Sequence, residues 1–210
     1  GKARRGNATL CNQHLSTALD RVAPEGQSKE LYRIAIHEAG HAVVAHILGL
    51  PLPAMIRVTP RGGSYLGKIP FAATKEIICN QIAVTLGGRA AEAIILGSVS
   101  DGAETDLVQA TELVFRARYT CGLYANNLVS LKAVKLSQLD PFAPLGSVVN
   151  TDLKKHYLRA KEIVENNTML VEHVAQALLD QREINGDALA EVLATHNLGT
   201  HDRPTATLTG

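Results

Sequence analysis

Aromatic residues are scarce in this chain, at 4%, and tryptophan is absent, so a base-stacking platform for single-stranded nucleic acid is excluded. No sign of charge dominates. Lys and Arg number 21 against 20 Asp and Glu, a formal net charge of +1, which gives neither a basic footprint for nucleic acid nor an acidic face. The three cysteines, Cys11, Cys79 and Cys121, are few, odd in number and far apart. That spacing excludes a disulfide framework and a thiolate zinc site, and it fits an intracellular, reducing compartment. No run of about 18 uncharged apolar residues occurs; the nearest, from Ile34 to Leu50, is interrupted by two histidines and a glutamate, so no membrane contact is expected from these residues. No signal-peptide pattern is present: Gly1-Lys2-Ala3-Arg4-Arg5-Gly6 is basic but lacks an apolar stretch behind it, and reads as a linker belonging to a longer chain.

What the chain does have is apolar content of 46% over 210 residues, enough for one domain with a real core. Helical periodicity dominates. The pattern predicts a short helix over Gln13 to Val22 and a long one from a Ser28 cap to Leu48, stopped by Gly49, Pro51 and Pro53. Met55 to Thr59 alternates as a strand does, Pro60 to Gly63 reads as a turn, and Leu66 to Phe71 as a second extended piece. A helix from Thr74 to about Ile94 contains Gly87-Gly88, which points to a kink or a close backbone contact, and Gly97 closes it. Further helices are expected over Asp106 to Tyr119, Leu153 to Asn166, Met169 to Gln181, and from Asp187 to near Thr195. Pro141, Pro144 and Gly146 mark 122–150 as a surface loop. The class is mainly α with a small β element. Residues 1–14 are expected to be loose, 15–198 to form the domain, and 199–210 to be a disordered tail.

The chemistry concentrates in His37-Glu38-Ala39-Gly40-His41, inside the long apolar helix. Residues four apart on a helix point the same way, so the two imidazoles can share a zinc ion, and the adjacent glutamate can take a proton from water. Ile34, His37, His41, Val44 and Leu48 follow a core-facing stripe, with Glu38 at its edge. Titratable groups beside a core need compensation, which a cation provides. A catalytic zinc also needs a third protein ligand. A third histidine is excluded: the position six residues after His41 is Ile47, and the expected preceding glycine is Val44. A carboxylate remains, from Asp101, Glu104 or Asp106. Asp106 lies on an apolar helical stripe with Ala110, Leu113 and Ala117; Glu104 shares another stripe and is not excluded by it; Asp101 reads as a loop or cap residue.

Three motifs occur in a fixed order: His37-Glu38-Ala39-Gly40-His41-Ala42-Val43-Val44, Gly87-Gly88-Arg89-Ala90-Ala91-Glu92 and Gly102-Ala103-Glu104-Thr105-Asp106-Leu107. Together they resemble the peptidase domain of the FtsH family, membrane-anchored ATP-dependent zinc proteases. The likeness extends through Thr59-Pro60-Arg61-Gly62 and Tyr157 to Glu165, and covers about residues 15–195. The resemblance implies a zinc endopeptidase acting on unfolded or membrane-protein substrates, with His37, His41 and Asp106 as metal ligands, Glu38 as general base and Glu92 as a carboxylate supporting the ligands. It also implies that Ile56, Arg57, Val58 and Thr59 offer a strand edge to substrate. It further implies a homo-hexameric ring, an AAA ATPase partner domain and membrane association of the parent in a bacterial inner membrane or an organelle. The span from Arg61 to Thr74 is short for the family, and the loop around 124–150 is unlike it.

The motor itself is not in these residues. Gly62 to Lys68 imitates a phosphate-binding loop, but Ile69 stands where Ser or Thr holds magnesium and Pro70 blocks the following helix. ATP therefore enters only through a domain expected upstream of Gly1. The competing reading is an inactive, peptidase-shaped assembly module; four intact chemical residues argue against it.

Overall fold

The structure, a computed structural model, describes residues 25–59, 62–65, 73–124, 130 and 144–199. The expected helix over 13–22, the extended piece over 66–71 and the tail after 199 lie outside them.

Helix α1, Glu25–Ile47, starts three residues before the expected Ser28 cap. It is the axis of the fold. Every residue from Ala35 to Ala45 is buried, so the helix is enclosed on all sides rather than along the single stripe its spacing predicts. Small residues make this possible. Ala35, Ala39, Ala42 and Ala45 are fully buried and let neighbouring elements approach closely.

Two strands follow, β1 (Met55–Thr59) and β2 (Gly62–Tyr65), then helices α2 (Lys75–Thr85) and α3 (Gly87–Ile95). Thr74 caps α2 by accepting from the Ile77 N–H at 3.4 Å. The predicted single helix is broken at Leu86, and Gly87-Gly88 supply both the break and a close contact. A Cβ on Gly40 would lie 2.6 Å from the Gly87 carbonyl oxygen, and one on Gly87 2.9 Å from that of Gly40. Helices α1 and α3 thus cross backbone to backbone, which only glycine permits.

Gly97, with φ of 67°, ends the α3 segment. A 3₁₀ turn, Asp101–Ala103, leads into α4 (Glu104–Phe115), which passes into a π turn over Arg116–Thr120. The start at Glu104 puts Asp106 in the first turn of α4. Helix α5 spans Pro144–Asn166 and α6 Thr168–Gln181. Pro144 opens α5 where a loop to residue 150 was expected, because proline suits the first helical turn, whose N–H has no partner in any case.

A third strand, β3 (Glu183–Asn185), was not expected; α7 (Gly186–Gly199) follows it and runs past Thr195. The Asn185 side chain accepts from the Ala188 N–H at 2.9 Å and caps α7. The sheet order is β2-β1-β3, both pairs antiparallel, with Ile56 opposite Tyr65 on one side and Ile184 on the other. Gly62 and Gly63, expected as a turn, are therefore strand residues. One core runs through the seven helices and through β1 and β3, from Leu31 on α1 to Leu193 on α7.

Candidate metal centre

The two histidines of α1 are oriented from behind by groups of opposite elements. The His41 Nδ1–H donates to the Val84 carbonyl at the end of α2, 2.7 Å away. A carbonyl can only accept, so that nitrogen carries the proton and Nε2 presents its lone pair to the site. The His37 Nδ1–H donates to Glu92 Oε1 on α3 at 2.8 Å, which turns its Nε2 toward Asp106 and the site. Gly88 lets α3 come this close: a Cβ there would sit 2.5 Å from His37 Nε2.

The Nε2 atoms of His37 and His41 are 3.1 Å apart. Asp106 Oδ2, delivered by the first turn of α4, is 2.9 Å from His37 Nε2 and 3.3 Å from that of His41. These three donor atoms make a nearly equilateral triangle. A tetrahedral zinc with bonds of about 2.0–2.2 Å separates its ligand atoms by about 3.3–3.6 Å, so the donors need to spread by only a few tenths of an ångström to hold one. Two imidazoles and a carboxylate suit zinc chemically. Among the described residues this is the group of three that could hold a metal ion. Asp101 and Glu104 are exposed and stand outside it.

The charges fit a cation. Burial opposes a charge on His37, but hydrogen bonds to Asp106 and Glu92 and the field of Glu38 outweigh it and raise its pKa to about 9. Burial likewise opposes the charge on Asp106, yet the two histidines hold its carboxyl below the ordinary range. For Glu92, burial is overcome by bonds from His37, Arg33 and Ser100, which lower its pKa to about 2. Glu38 differs. Burial raises its pKa, and the nearby histidines only partly offset this. Its Oε2 is buried without a hydrogen-bond partner among the described residues. An unsatisfied buried carboxylate oxygen is costly, which makes Glu38 a candidate for a functional group.

Glu38 faces a cavity of about 300 Å³ lined by His37, His41, Gly63, Gln81, Thr85, Thr105, Asp106 and Gln109. A second cavity, of about 740 Å³, is also lined by His37 and Glu38 and reaches Arg33, Ile34 and Asp101. The pair therefore borders both cavities.

The strand expected to receive substrate is misplaced by the sequence. Ile56 to Thr59 belong to β1, the central strand, whose two edges are taken by β2 and β3; Val58 N–H also donates to the Arg182 carbonyl at 2.9 Å. Ile56 and Val58 are core residues, and Arg57 pairs with Glu183. The element beside the site is β2, where a Cβ on Gly63 would come within 2.2 Å of Glu38 Oε1. Sequence reasoning also missed Val84, Arg33 and Ser100. Arg33 had a signal, its spacing of four from His37; the Val84 carbonyl, a backbone group, had none.

An enclosed helix carrying His-Glu-x-x-His, completed by a carboxylate from a later helix, is the architecture of a metal-dependent peptidase. The chain belongs to Peptidase family M41, whose sequence model matches residues 25–139, more than half of it. It is 28% identical over 214 residues to the mitochondrial ATP-dependent zinc metalloprotease FTSH 3 of Arabidopsis thaliana, covering 91% of this chain and 26% of that protein. It is 28% identical to ATP-dependent zinc metalloprotease FtsH 2 of Thermoanaerobacter sp. over 92% of this chain and 40% of that protein. With ATP-dependent zinc metalloprotease FtsH of Aster yellows witches'-broom phytoplasma the identity is 33%, over 92% and 31%. The chain thus spans about a quarter to two-fifths of the length of these relatives.

Proposed function

We propose that this chain is a zinc endopeptidase domain in which His37, His41 and Asp106 hold the metal and Glu38 is the general base. The observation that carries the reading is the convergence of those three donor atoms beside a buried carboxylate oxygen that has no hydrogen-bond partner among the described residues. Zinc held by His37, His41 and Asp106 would supply Lewis acidity to a scissile carbonyl and to a water molecule. Glu38 accepts the water proton on Oε2 and passes it to the leaving nitrogen. Burial favours that proton transfer by raising the basicity of the carboxylate. Glu92 keeps the His37 proton on Nδ1, so that Nε2 stays available.

Substrate lies along β2 rather than β1. Among the described residues β2 is an edge strand, and Gly63 brings its backbone against Glu38. An extended peptide paired with that edge has its backbone beside the base and its side chains directed to both cavities. Backbone pairing is indifferent to side chains, which suits unfolded or membrane-extracted polypeptides.

The parent supplies what these residues lack. The relatives are ATP-dependent by name, and the family resemblance supports an AAA ATPase domain, a hexameric ring and a membrane anchor in the full protein. No helix among the described residues is long and apolar enough to cross a membrane. Digestion of casein by the purified chain, with and without a zinc chelator, tests the reading. Cleavage that stops on chelation and returns with zinc is expected; cleavage indifferent to the chelator refutes it.

A further inference from the structure

We propose that Arg33 is a positioning residue of the metal centre, acting on it from two sides at once through Glu92 and through the loop that delivers Asp106. The proposal rests on the reading of His37, His41 and Asp106 as metal ligands.

Arg33 lies one turn before His37 on α1. Its Nη1 donates to Glu92 Oε2 at 2.7 Å and to the Ser98 carbonyl at 3.0 Å, and its Nη2 donates to Ser98 Oγ at 2.9 Å. Glu92 is 1% exposed. Its four acceptor positions are all used: Oε1 takes the His37 Nδ1–H at 2.8 Å and the Ser100 hydroxyl at 3.1 Å, and Oε2 takes Arg33 and the Ser100 N–H at 2.8 Å. A carboxylate so deeply buried requires a cation, and Arg33 is the permanently charged group on it. Fixing Glu92 fixes the plane and tautomer of His37, since the carboxylate holds the imidazole by its far nitrogen.

The second arm is the loop. Ser98 and Ser100 lead directly into the 3₁₀ turn and the first turn of α4, where Asp106 sits. Arg33 ties Ser98 to α1, and Glu92 ties Ser100 to α3. Two of the three ligands, His37 and Asp106, are therefore registered to each other through one guanidinium. A lysine reproduces this only in part, because one ammonium lacks the second nitrogen that reaches Ser98 Oγ.

The test is the zinc dissociation constant, measured by chelator competition on the purified chain, with the visible spectrum of the cobalt-substituted protein as a reporter of ligand geometry. Arg33→Met is expected to weaken zinc about 10- to 100-fold, the usual effect of losing an outer partner of a metal ligand, and to alter the cobalt bands. Arg33→Lys falls between Met and wild type. Arg159→Met, which removes a comparable arginine bond to Asn80 at 2.8 Å, leaves both readouts unchanged. Wild-type affinity and spectrum in Arg33→Met overturn the proposal while leaving the metal-centre reading intact. A wild-type chain that binds no zinc overturns both. If Arg33→Met does not fold, Arg33→Lys decides, and affinity equal to wild type then overturns the proposal.

Discussion

Replacing Gly88 with alanine adds one methyl group against the Nε2 edge of His37, and the structure gives the size of the effect. That Cβ would stand 2.5 Å from His37 Nε2, 2.6 Å from Cδ2 and 2.7 Å from Cε1. Comfortable contact between such atoms begins at about 3.5 Å, so the ring and the methyl must separate by about 1 Å. Neither moves freely. The Glu92 carboxylate holds the ring at Nδ1, and the Gly40–Gly87 crossing already has the two backbones in contact. Metal sites tolerate ligand errors of about 0.2 Å, so a shift of about 1 Å removes His37 from the ligand set. The expected result is a loss of zinc affinity greater than the roughly 10- to 100-fold typical of outer partners alone. Metal-free stability falls less, by about 1–3 kcal/mol for overpacking, offset by up to about 1 kcal/mol because alanine is the better helix former. Chelator competition and urea unfolding in chelator measure the two quantities separately. A Gly88→Ala chain that binds zinc as tightly as wild type refutes the reasoning.

Other perturbations separate the roles of the carboxylates. In the casein assay Glu38→Gln is expected to retain zinc and lose about 10²- to 10⁴-fold in activity, the usual worth of a general base; turnover at the wild-type rate contradicts its role. Stripped of metal, the chain keeps the contributions of both His37 and Glu92 in full between about pH 4.5 and 6.5. His37, raised from 6.5 to about 9, contributes stability that is fully present below 6.5 and is lost as pH rises through 9. Glu92, lowered from 4.5 to about 2, contributes stability present above 4.5 and lost as pH falls through 2. Urea midpoints in chelator check both limbs, and a midpoint unchanged from pH 6.5 to 9 contradicts the network around His37.

The helices and the histidine pair were legible because their signals are local. His37 and His41 stand at helical spacing within an apolar run, and Gly49 ends that run. From the residues alone Asp106 was one of three possible carboxylates, and only the family resemblance singled it out; the fold brings its Oδ2 to 2.9 Å from His37 Nε2, a pairing no local pattern encodes. The β element was read worst. Gly62-Gly63 looks like a turn, and only the proximity of Glu38 explains why a strand residue there must lack a side chain. Glu183-Ile184-Asn185 has a single apolar residue, too few to show alternation, yet it covers the second edge of β1 and so moves the accessible edge to β2. Pro144 reads as a breaker in the sequence because proline ends helices and also begins them, and composition alone does not say which. The stripe on α1 was an underestimate for a similar reason: alanine and glycine read as neutral in a hydrophobic pattern, yet here they are what lets the other elements surround the helix.

The most direct measurement is zinc bound per chain, by elemental analysis of wild type and Asp106→Asn purified side by side. One zinc in the wild type and a clear loss in Asp106→Asn are expected, because the amide keeps the shape of the side chain but not the charge that completes the ligand triangle. Equal zinc in the two proteins, or none in the wild type, contradicts the assignment of His37, His41 and Asp106 as the metal site.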